Sequence, residues 1–410
     1  MQPIGVAVVG TGYWGRKLTY EYLSAQCNKG NVSLAGVCDS SPSALLFCKE
    51  KYSIPEKLLK RRFEDVIGDS KVSAVHIATP NHTHYTLARM AFEAGKDVLV
   101  EKPMTLNSRE AYELVDLAAS RELVLHVGHI FRFNSAVRAA REILKRGAIG
   151  KVFYARVQWT DFADFPDRDI IFDLGPHPID VLNQLLDSWP SQVSGFARAY
   201  RNSETHEEVA YGLAEYDNGV FAHLELSWLH PTKVREASIM GSEGALVVDC
   251  FNQHVVLHTQ ARTEVPVSVN NTIESEIDWF VDCVKRRCLS TESGMIGART
   301  VEVLETLRRS MWERPLPISV PVEHDQTAVM VGILQRIGRG LSQNAFTNHD
   351  LGNTGSKAYL ETMVRLGLLE TTPTEYQITE KGLHFLKEYG DFERSPKKDL
   401  LKAYQKAPSN

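Results

Sequence analysis

The sequence predicts an α/β fold in three parts: a doubly wound parallel sheet, an α+β domain on a mostly antiparallel open sheet, and a small C-terminal winged helix-turn-helix. Three observations predict it. An apolar run, Ile4 to Val9, enters the glycine turn Gly10-Thr11-Gly12-Tyr13-Trp14-Gly15. Apolar strands and amphipathic helices then alternate to about Ile130, a rhythm that builds a parallel sheet with helices on both faces. From Lys151 long strands follow one another with turn signals between them, which builds antiparallel pairs.

The first strand stops at the glycines for a chemical reason. Gly10 permits a tight turn, Gly12 lets a phosphate approach the backbone, and Gly15 lets the next helix sit close with its positive N-terminal end facing the anion. A strand, this turn and a helix together cradle a pyrophosphate, so residues 1–130 are expected to form a dinucleotide-binding Rossmann domain. The helix over Arg16 to Leu23 leads to a second strand, Val32 to Cys38, which ends in Asp39. An acid there accepts hydrogen bonds from ribose hydroxyls and repels a 2′-phosphate. No Arg or Lys follows until Lys49, so NAD is expected in preference to NADP. Strands Val72 to Thr79, Asp97 to Val100 and Leu123 to Val127 complete the sheet. Between them lie helices Tyr85 to Ala94, closed by Gly95, and Ser108 to Ser120.

The second domain, residues 131–322, reads as strands Val152 to Thr160, Val193 to Tyr200, Tyr211 to Tyr216, Val220 to Trp228, Glu236 to Met240, Ala245 to Cys250 and Val255 to Thr259. Asp217-Asn218-Gly219 and Gly241-Ser242-Glu243-Gly244 supply hairpin turns. Helices Asp173 to Leu186, Glu274 to Arg287 and Arg299 to Glu313 are expected to cover one face of this sheet. Pro315, Pro317 and Pro321 open a linker. Residues 325–395 then show helix Ala328 to Leu341, helix Ser356 to Leu366 ended by Gly367, a hairpin across Thr371 to Thr374 and a helix from Thr379, the order of a winged helix; residues 396–410 are a tail.

Composition bounds the function classes. The chain has 410 residues, 43% of them hydrophobic and 24% charged, as in a globular protein of more than one domain. Its net charge of −5 gives no global reason to expect nucleic acid or an anionic membrane as partner. The six cysteines are scattered without a CxxC pair, which fits free thiols in a reducing cytoplasm. The N-terminal apolar run ends in the glycine turn and is too short to be an anchor or signal.

Three clusters carry candidate chemistry. Strand Asp97 to Val100 runs into Glu101-Lys102-Pro103, placing a lysine at the carboxyl end of a central strand, where the nicotinamide belongs. Lys102 there can hold a substrate hydroxyl; a surface lysine in a βα loop is the alternative. Asp173-Leu174-Gly175-Pro176-His177 puts an acid and a histidine four apart at a helix entrance, a spacing that suits a general base beside an orienting carboxylate. Taken alone, the same pair could be an N-cap and a packed histidine. Thr79-Pro80-Asn81-His82-Thr83-His84 would line the crevice with cofactor contacts. No metal site is expected: Asp173, His177 and Asp180 lack an accompanying cysteine, and His126 and His129 are three apart on a strand.

These motifs, together with Val127-Gly128-His129 and Arg132-Phe133, resemble the glucose-fructose oxidoreductase/inositol dehydrogenase (Gfo/Idh/MocA) family from Met1 to about Val320. The resemblance implies NAD(P)-dependent oxidation or reduction of a sugar or polyol carbon. It implies cofactor contacts from Gly10, Thr11, Gly12, Tyr13, Trp14, Gly15, Asp39, Thr79, Pro80, Asn81, His84, Glu101, Lys102 and Pro103, the last resembling the family's cis-proline. Lys102, Asp173 and His177 match the catalytic positions, with Arg132 and Arg168 beside them as substrate contacts. The Tyr13-Trp14-Gly15 variant resembles members that oxidise C3 of UDP-N-acetylhexosamines such as UDP-GlcNAc, although the loop Asp161 to Ile171 is short and holds a single arginine, Arg168. A homo-oligomer is expected by analogy.

The C-terminal segment departs from that pattern. Gly367-Leu368-Leu369-Glu370 and Glu375-Tyr376-Gln377-Ile378-Thr379-Glu380-Lys381-Gly382-Leu383 look like archaeal winged-helix domains. Residues 325–410 hold eleven Lys and Arg against ten Asp and Glu, and helix Ser356 to Leu366 offers only Lys357 and Arg365, a weak charge footprint for DNA. The competing expectation is a regulator that reports NAD(H) or sugar binding to this winged helix, with DNA as partner. Lys102, Asp173 and His177 favour catalysis, because a sensor has no need of a proton relay.

Overall fold

A six-stranded parallel sheet, in the order β3-β2-β1-β4-β5-β6, carries the glycine turn. Its strands are β1 (Ile4–Val9), β2 (Val32–Cys38), β3 (Leu59–Lys60), β4 (Ala74–Ile77), β5 (Asp97–Val100) and β6 (Leu125–Val127). Its helices are α1 (Tyr13–Lys29), α2 (Pro42–Tyr52), α3 (Phe63–Ile67), α4 (His84–Glu93) and α5 (Ser108–Ser120), with α6 (Ser135–Lys145) following β6. The computed structural model describes residues 3–163, 168–201, 207–287 and 291–312, then 330, 334, 360, 363–371 and 376–389. Met1–Arg314 forms one compact unit and Pro315–Asn410 a second.

Local chemistry sets the element ends. Ser41 accepts from the Ala44 amide with Pro42 at the first position of α2, and Asn107 accepts from the Glu110 amide to start α5. Gly10 has φ +91°, and a Cβ there would lie 2.5 Å from the Ala78 carbonyl oxygen, so only glycine fits the turn. A Cβ at Gly15 would come within 1.9 Å of the Gly10 carbonyl oxygen, because α1 passes directly over the turn. Helix α1 is longer than the Arg16 to Leu23 pattern suggests and ends at left-handed Gly30.

The second sheet has eight strands in the order β14-β13-β12-β11-β7-β10-β9-β8. They are β7 (Val152–Phe162), β8 (Gln192–Arg198), β9 (Val209–Glu215), β10 (Phe221–Ser227), β11 (Leu229–Gly241), β12 (Ala245–Asp249), β13 (His254–His258) and β14 (Arg262–Val265). Strands β7 and β10 pair parallel, so the sheet is mixed while every other neighbouring pair is antiparallel. That parallel pair requires a crossover, which α7 (Ile170–Leu174), α8 (Pro176–Leu186), β8 and β9 supply. Strands β3 and β14 escape the sequence pattern because one has two residues and the other is an exposed edge of polar residues.

Two helix expectations need correction. The helix expected over Asp173 to Leu186 starts at Ile170, capped by Asp169, and is divided at Gly175 into α7 and α8. Pro176 has no amide to donate at the division, and a Cβ at Gly175 would meet Leu304 at 2.7 Å. Helix α9 (Thr272–Arg286) does not cover the second sheet. Its Ile277, Phe280 and Val281 share a core with Val6, Val8, Leu18 and Tyr22, so the chain returns to the parallel sheet. Helix α10 (Thr291–Trp312) packs on α5 and β6 as well as on α8 and β8. An apolar stripe declares that a helix is covered; it does not declare by which sheet.

In the second unit β15 (Leu369–Thr371) and β16 (Tyr376–Ile378) form an antiparallel hairpin, followed by α11 (Glu380–Tyr389). The Thr379 hydroxyl donates to the Gly367 carbonyl at 2.6 Å and accepts from the Gly382 amide at 3.0 Å, starting α11 and holding it to left-handed Gly367. Met330, Leu334, Leu360, Met363, Leu368 and Phe385 form its core. Most of the two helices expected before the hairpin, and its turn, lie outside the described residues. Among the described residues no helix is long and apolar enough to cross a membrane, Cys38, Cys48 and Cys250 are buried free thiols, and Cys283 is buried.

The glycine geometry separates two substitutions. Gly15→Ala forces a backbone clash and should lower stability by about 1–3 kcal/mol, seen as a lower Tm. Gly12→Ala, whose Cβ meets nothing within 4 Å, should leave Tm unchanged.

Candidate active site

The crevice opens where β1, β4 and β5 end. At its floor Gly12 caps α1 without a side-chain hydrogen bond, and the first turn of the helix carries no acidic residue. A Cβ on Gly12 would project into open space, so the backbone amides and the positive helix end face a cradle that a side chain would fill. The residues present therefore fit a dinucleotide pyrophosphate. The Thr11 amide and hydroxyl donate to Asp39 Oδ2 at 2.7 and 2.9 Å, and the Ser41 amide donates to Oδ1 at 2.8 Å. The acid at the end of β2 is thus tied to the glycine turn and keeps lone pairs for further donors.

A buried carboxylate connects that turn to the lysine loop. Trp14 Nε1 donates to Glu101 Oε1 at 2.5 Å, and His76 Nε2 lies 3.2 Å from the same oxygen. Tyr22 closes the chain through its hydroxyl, 3.1 Å from His76 Nδ1. Burial works against charge on Glu101, yet the hydrogen bonds from His76 and Trp14 and the nearby Lys102 ammonium hold its carboxyl below the usual range. Gly128 follows from this, since a Cβ there would lie 2.7 Å from Glu101 Oε2. His84 bridges the two loops: Nδ1 lies 2.8 Å from the Pro103 carbonyl oxygen and Nε2 lies 2.9 Å from that of Thr79. Burial lowers its pKa. The Lys102-Pro103 peptide is cis. Pro80 starts the turn Asn81–Thr83, and Tyr13 stands exposed beside Lys17.

Lys102, Asp173 and His177 come together from three elements. Lys102 Nζ donates to the Asp173 carbonyl at 2.9 Å and lies 3.7 Å from Asp173 Oδ1. Arg168 Nη1 approaches Asp173 Oδ2 at 3.4 Å. The Asp173 carboxylate therefore answers to Lys102 and Arg168, where the spacing suggested that it orients His177. The His177 ring is instead held by Phe131 and Trp159, with centroids at 5.0 and 6.4 Å. Its Nδ1 is buried and unpartnered among the described residues. Desolvation and the positive charges of Lys102 and Arg235 keep His177 neutral, with its pKa well below the usual histidine value.

Arg132 lies elsewhere. Its Nε and Nη2 donate at 2.6 Å to Asp180 Oδ1 and Asn183 Oδ1, and its guanidinium faces a separate cavity. Sequence reasoning missed Phe131, Trp159 and Arg235, which pack or charge the His177 environment, and the buried pair Tyr22 and His76. An alternating strand pattern could have placed Trp159 inward; the others depend on tertiary contacts. Arg16 was also missed: its guanidinium stacks 3.9 Å from the Phe47 ring centroid and Nε donates to the Thr11 carbonyl, beside Asp39. Among the described residues no group of three His, Cys, Asp or Glu is arranged to hold a metal ion.

Residues 4–129 match the Gfo/Idh/MocA oxidoreductase family, NAD-binding Rossmann fold, and residues 137–247 match the Gfo/Idh/MocA C-terminal domain. UDP-N-acetylglucosamine 3-dehydrogenase of Acidithiobacillus ferrooxidans is 29% identical over 290 residues, covering 70% of this chain and 85% of that protein. The NAD(+)-dependent scyllo-inositol 2-dehydrogenase of Bacillus subtilis is 31% identical over 206 residues, 47% of this chain and 60% of that one. A solved structure of the Acidithiobacillus enzyme superposes with a TM-score of 0.67 at 25% identity, covering 76% of this chain and 98% of that chain. With the glycine cradle, the lysine loop and both matching segments in place, this chain belongs to the Gfo/Idh/MocA family of oxidoreductases.

Proposed function

We propose that this protein is an NAD-dependent dehydrogenase acting on a secondary alcohol carbon of a sugar, nucleotide sugar or polyol. The observation that carries the reading is the convergence of Lys102, Asp173 and His177 beside the loop Glu101-Lys102-Pro103. When bound, nicotinamide supplies the hydride acceptor or donor. Gly12 and the start of α1 would hold the pyrophosphate, and Asp39 the adenosine ribose. The Lys102 ammonium, held toward the crevice by the Asp173 carbonyl, donates a hydrogen bond to the substrate oxygen and stabilises negative charge there. His177, kept neutral, takes the hydroxyl proton at Nε2 during oxidation and returns it during reduction. Phe131 and Trp159 fix the ring and exclude water from one side.

Asp39 supports NAD over NADP, while Arg16, stacked on Phe47 nearby, is a cation that a 2′-phosphate could meet. Nucleotide sugars are favoured by the relative aligned over most of its length, a UDP-N-acetylglucosamine 3-dehydrogenase. We place the chain as a homo-oligomer through the outer face of the eight-stranded sheet. There Tyr154 stacks on Phe221 at 5.4 Å and Tyr211 on His223 at 5.8 Å, with Phe196 and Leu213 also exposed. The C-terminal unit reads best as a winged-helix-like module serving assembly, since its near-neutral charge suits phosphate binding poorly.

Turnover tests the site. With UDP-GlcNAc, glucose and inositol as trial substrates, Lys102→Met and His177→Asn should each lower kcat at least about 100-fold while NADH still binds. Asp39→Ala should weaken NAD binding about tenfold. Near-normal turnover by Lys102→Met would overturn the assignment. Because His177 stays neutral far into acid, kcat/KM should remain flat down through about pH 6; an acid limb centred on the ordinary histidine value of about 6.5 would contradict its environment. Sedimentation should show that Tyr154→Lys combined with Leu213→Glu dissociates the oligomer; an unchanged species would place the interface elsewhere.

A further inference from the structure

A second cavity, of about 560 Å³, lies at the C-terminal end of α8, and Lys102, Asp173 and His177 take no part in lining it. Its volume is that of a small-molecule site. Tyr112, Arg132, Arg141, Gln184, Trp189 and Arg299 bring three guanidinium groups, two aromatic rings and an amide to one space.

The polar atoms there are incompletely used. Gln184 is 6% exposed, and its Nε2 donates to the Arg132 carbonyl at 3.3 Å, which fixes the amide orientation. Its Oε1 is then left buried with no donor among the described residues. A buried amide oxygen without a partner costs free energy unless a ligand or water supplies an N–H or O–H. Arg141 gives Nη2 to Asp187 at 2.9 Å, but its Nε is buried and donates to nothing among the described residues. Arg299 is engaged by Glu302 through Nη1 at 2.6 Å, and Arg132 by Asp180 and Asn183 through Nε and Nη2. A guanidinium has five N–H groups, so all three retain donors. Asp187 is largely exposed, and an oxyanion in the cavity can take its place on Arg141.

We propose that this cavity binds a small polyhydroxylated oxyanion, a sugar phosphate or a sugar acid, at a site separate from the dinucleotide crevice. The oxyanion meets Arg141 and Arg299 in the fork geometry that guanidinium groups offer to phosphate and carboxylate. A ligand hydroxyl donates to Gln184 Oε1, and the ring lies against Trp189.

Calorimetric titration of the full chain in excess NADH tests this, because the reduced cofactor then occupies the glycine turn and cannot take a hydride from a sugar hydroxyl carbon, so the readout does not depend on turnover. Glucose 6-phosphate or glucuronate should bind in a step that depends on Arg141 and Arg299, any glucose binding at the active site should be unaffected by substitution of either arginine, and inorganic phosphate should bind more weakly than glucose 6-phosphate. Which of the two oxyanions binds more tightly identifies the source. Arg141→Gln and Arg299→Gln, both on partly exposed helix positions, should each weaken that binding about tenfold or more with unchanged Tm. Failure of both oxyanions to bind, glucose binding that weakens with the same substitutions, or oxyanion affinities untouched by both substitutions would overturn the proposal.

Discussion

The contact between Lys102 Nζ and the Asp173 carbonyl, 2.9 Å long, is the joint on which the candidate site depends. Lys102 stands at the end of β5 in the parallel sheet, whereas Asp173 sits in the crossover that feeds the mixed sheet. Two sheets built by different rules thus meet at one ammonium group. Behind it, the buried Glu101 carboxylate draws in Trp14 from α1 and His76 from β4, so the glycine turn, a central strand and the lysine loop share one electrostatic anchor. A charge at that depth persists only because it is hydrogen-bonded from two sides.

The parts of the fold governed by local chemistry were legible in the sequence. Strands Ile4–Val9, Val32–Cys38 and Asp97–Val100 and helix Ser108–Ser120 occur with the bounds that their apolar runs and caps suggest. Gly10 and Gly15 are required by the close approaches expected of them. What was not legible depends on distant packing. Helix α9 bears a clear apolar stripe, but only the folded chain shows that Val6, Val8 and Leu18 cover it. At the division, the space that a Cβ on Gly175 would need is taken by Leu304, more than a hundred residues away, and Pro176 brings no amide.

The site shows the same division. Lys102, Asp173 and His177 could be named from spacing and strand position, yet the spacing assigned the wrong partner to the acid. A break between α7 and α8 leaves the Asp173 carboxylate beside Lys102 and Arg168, while Phe131 and Trp159 take over the orientation of His177. Arg235, far along the chain in β11, adds positive charge that helps keep the imidazole neutral. Aromatic walls and a remote cation leave no motif, because they are defined by the space they share.

A crystal structure of the chain with NADH bound tests the central claim most directly. The pyrophosphate should lie on the Gly12 amide and the nicotinamide ring between Lys102 Nζ and His177 Nε2. A nicotinamide ring lying away from both groups, or a dinucleotide that avoids the glycine turn, would contradict it.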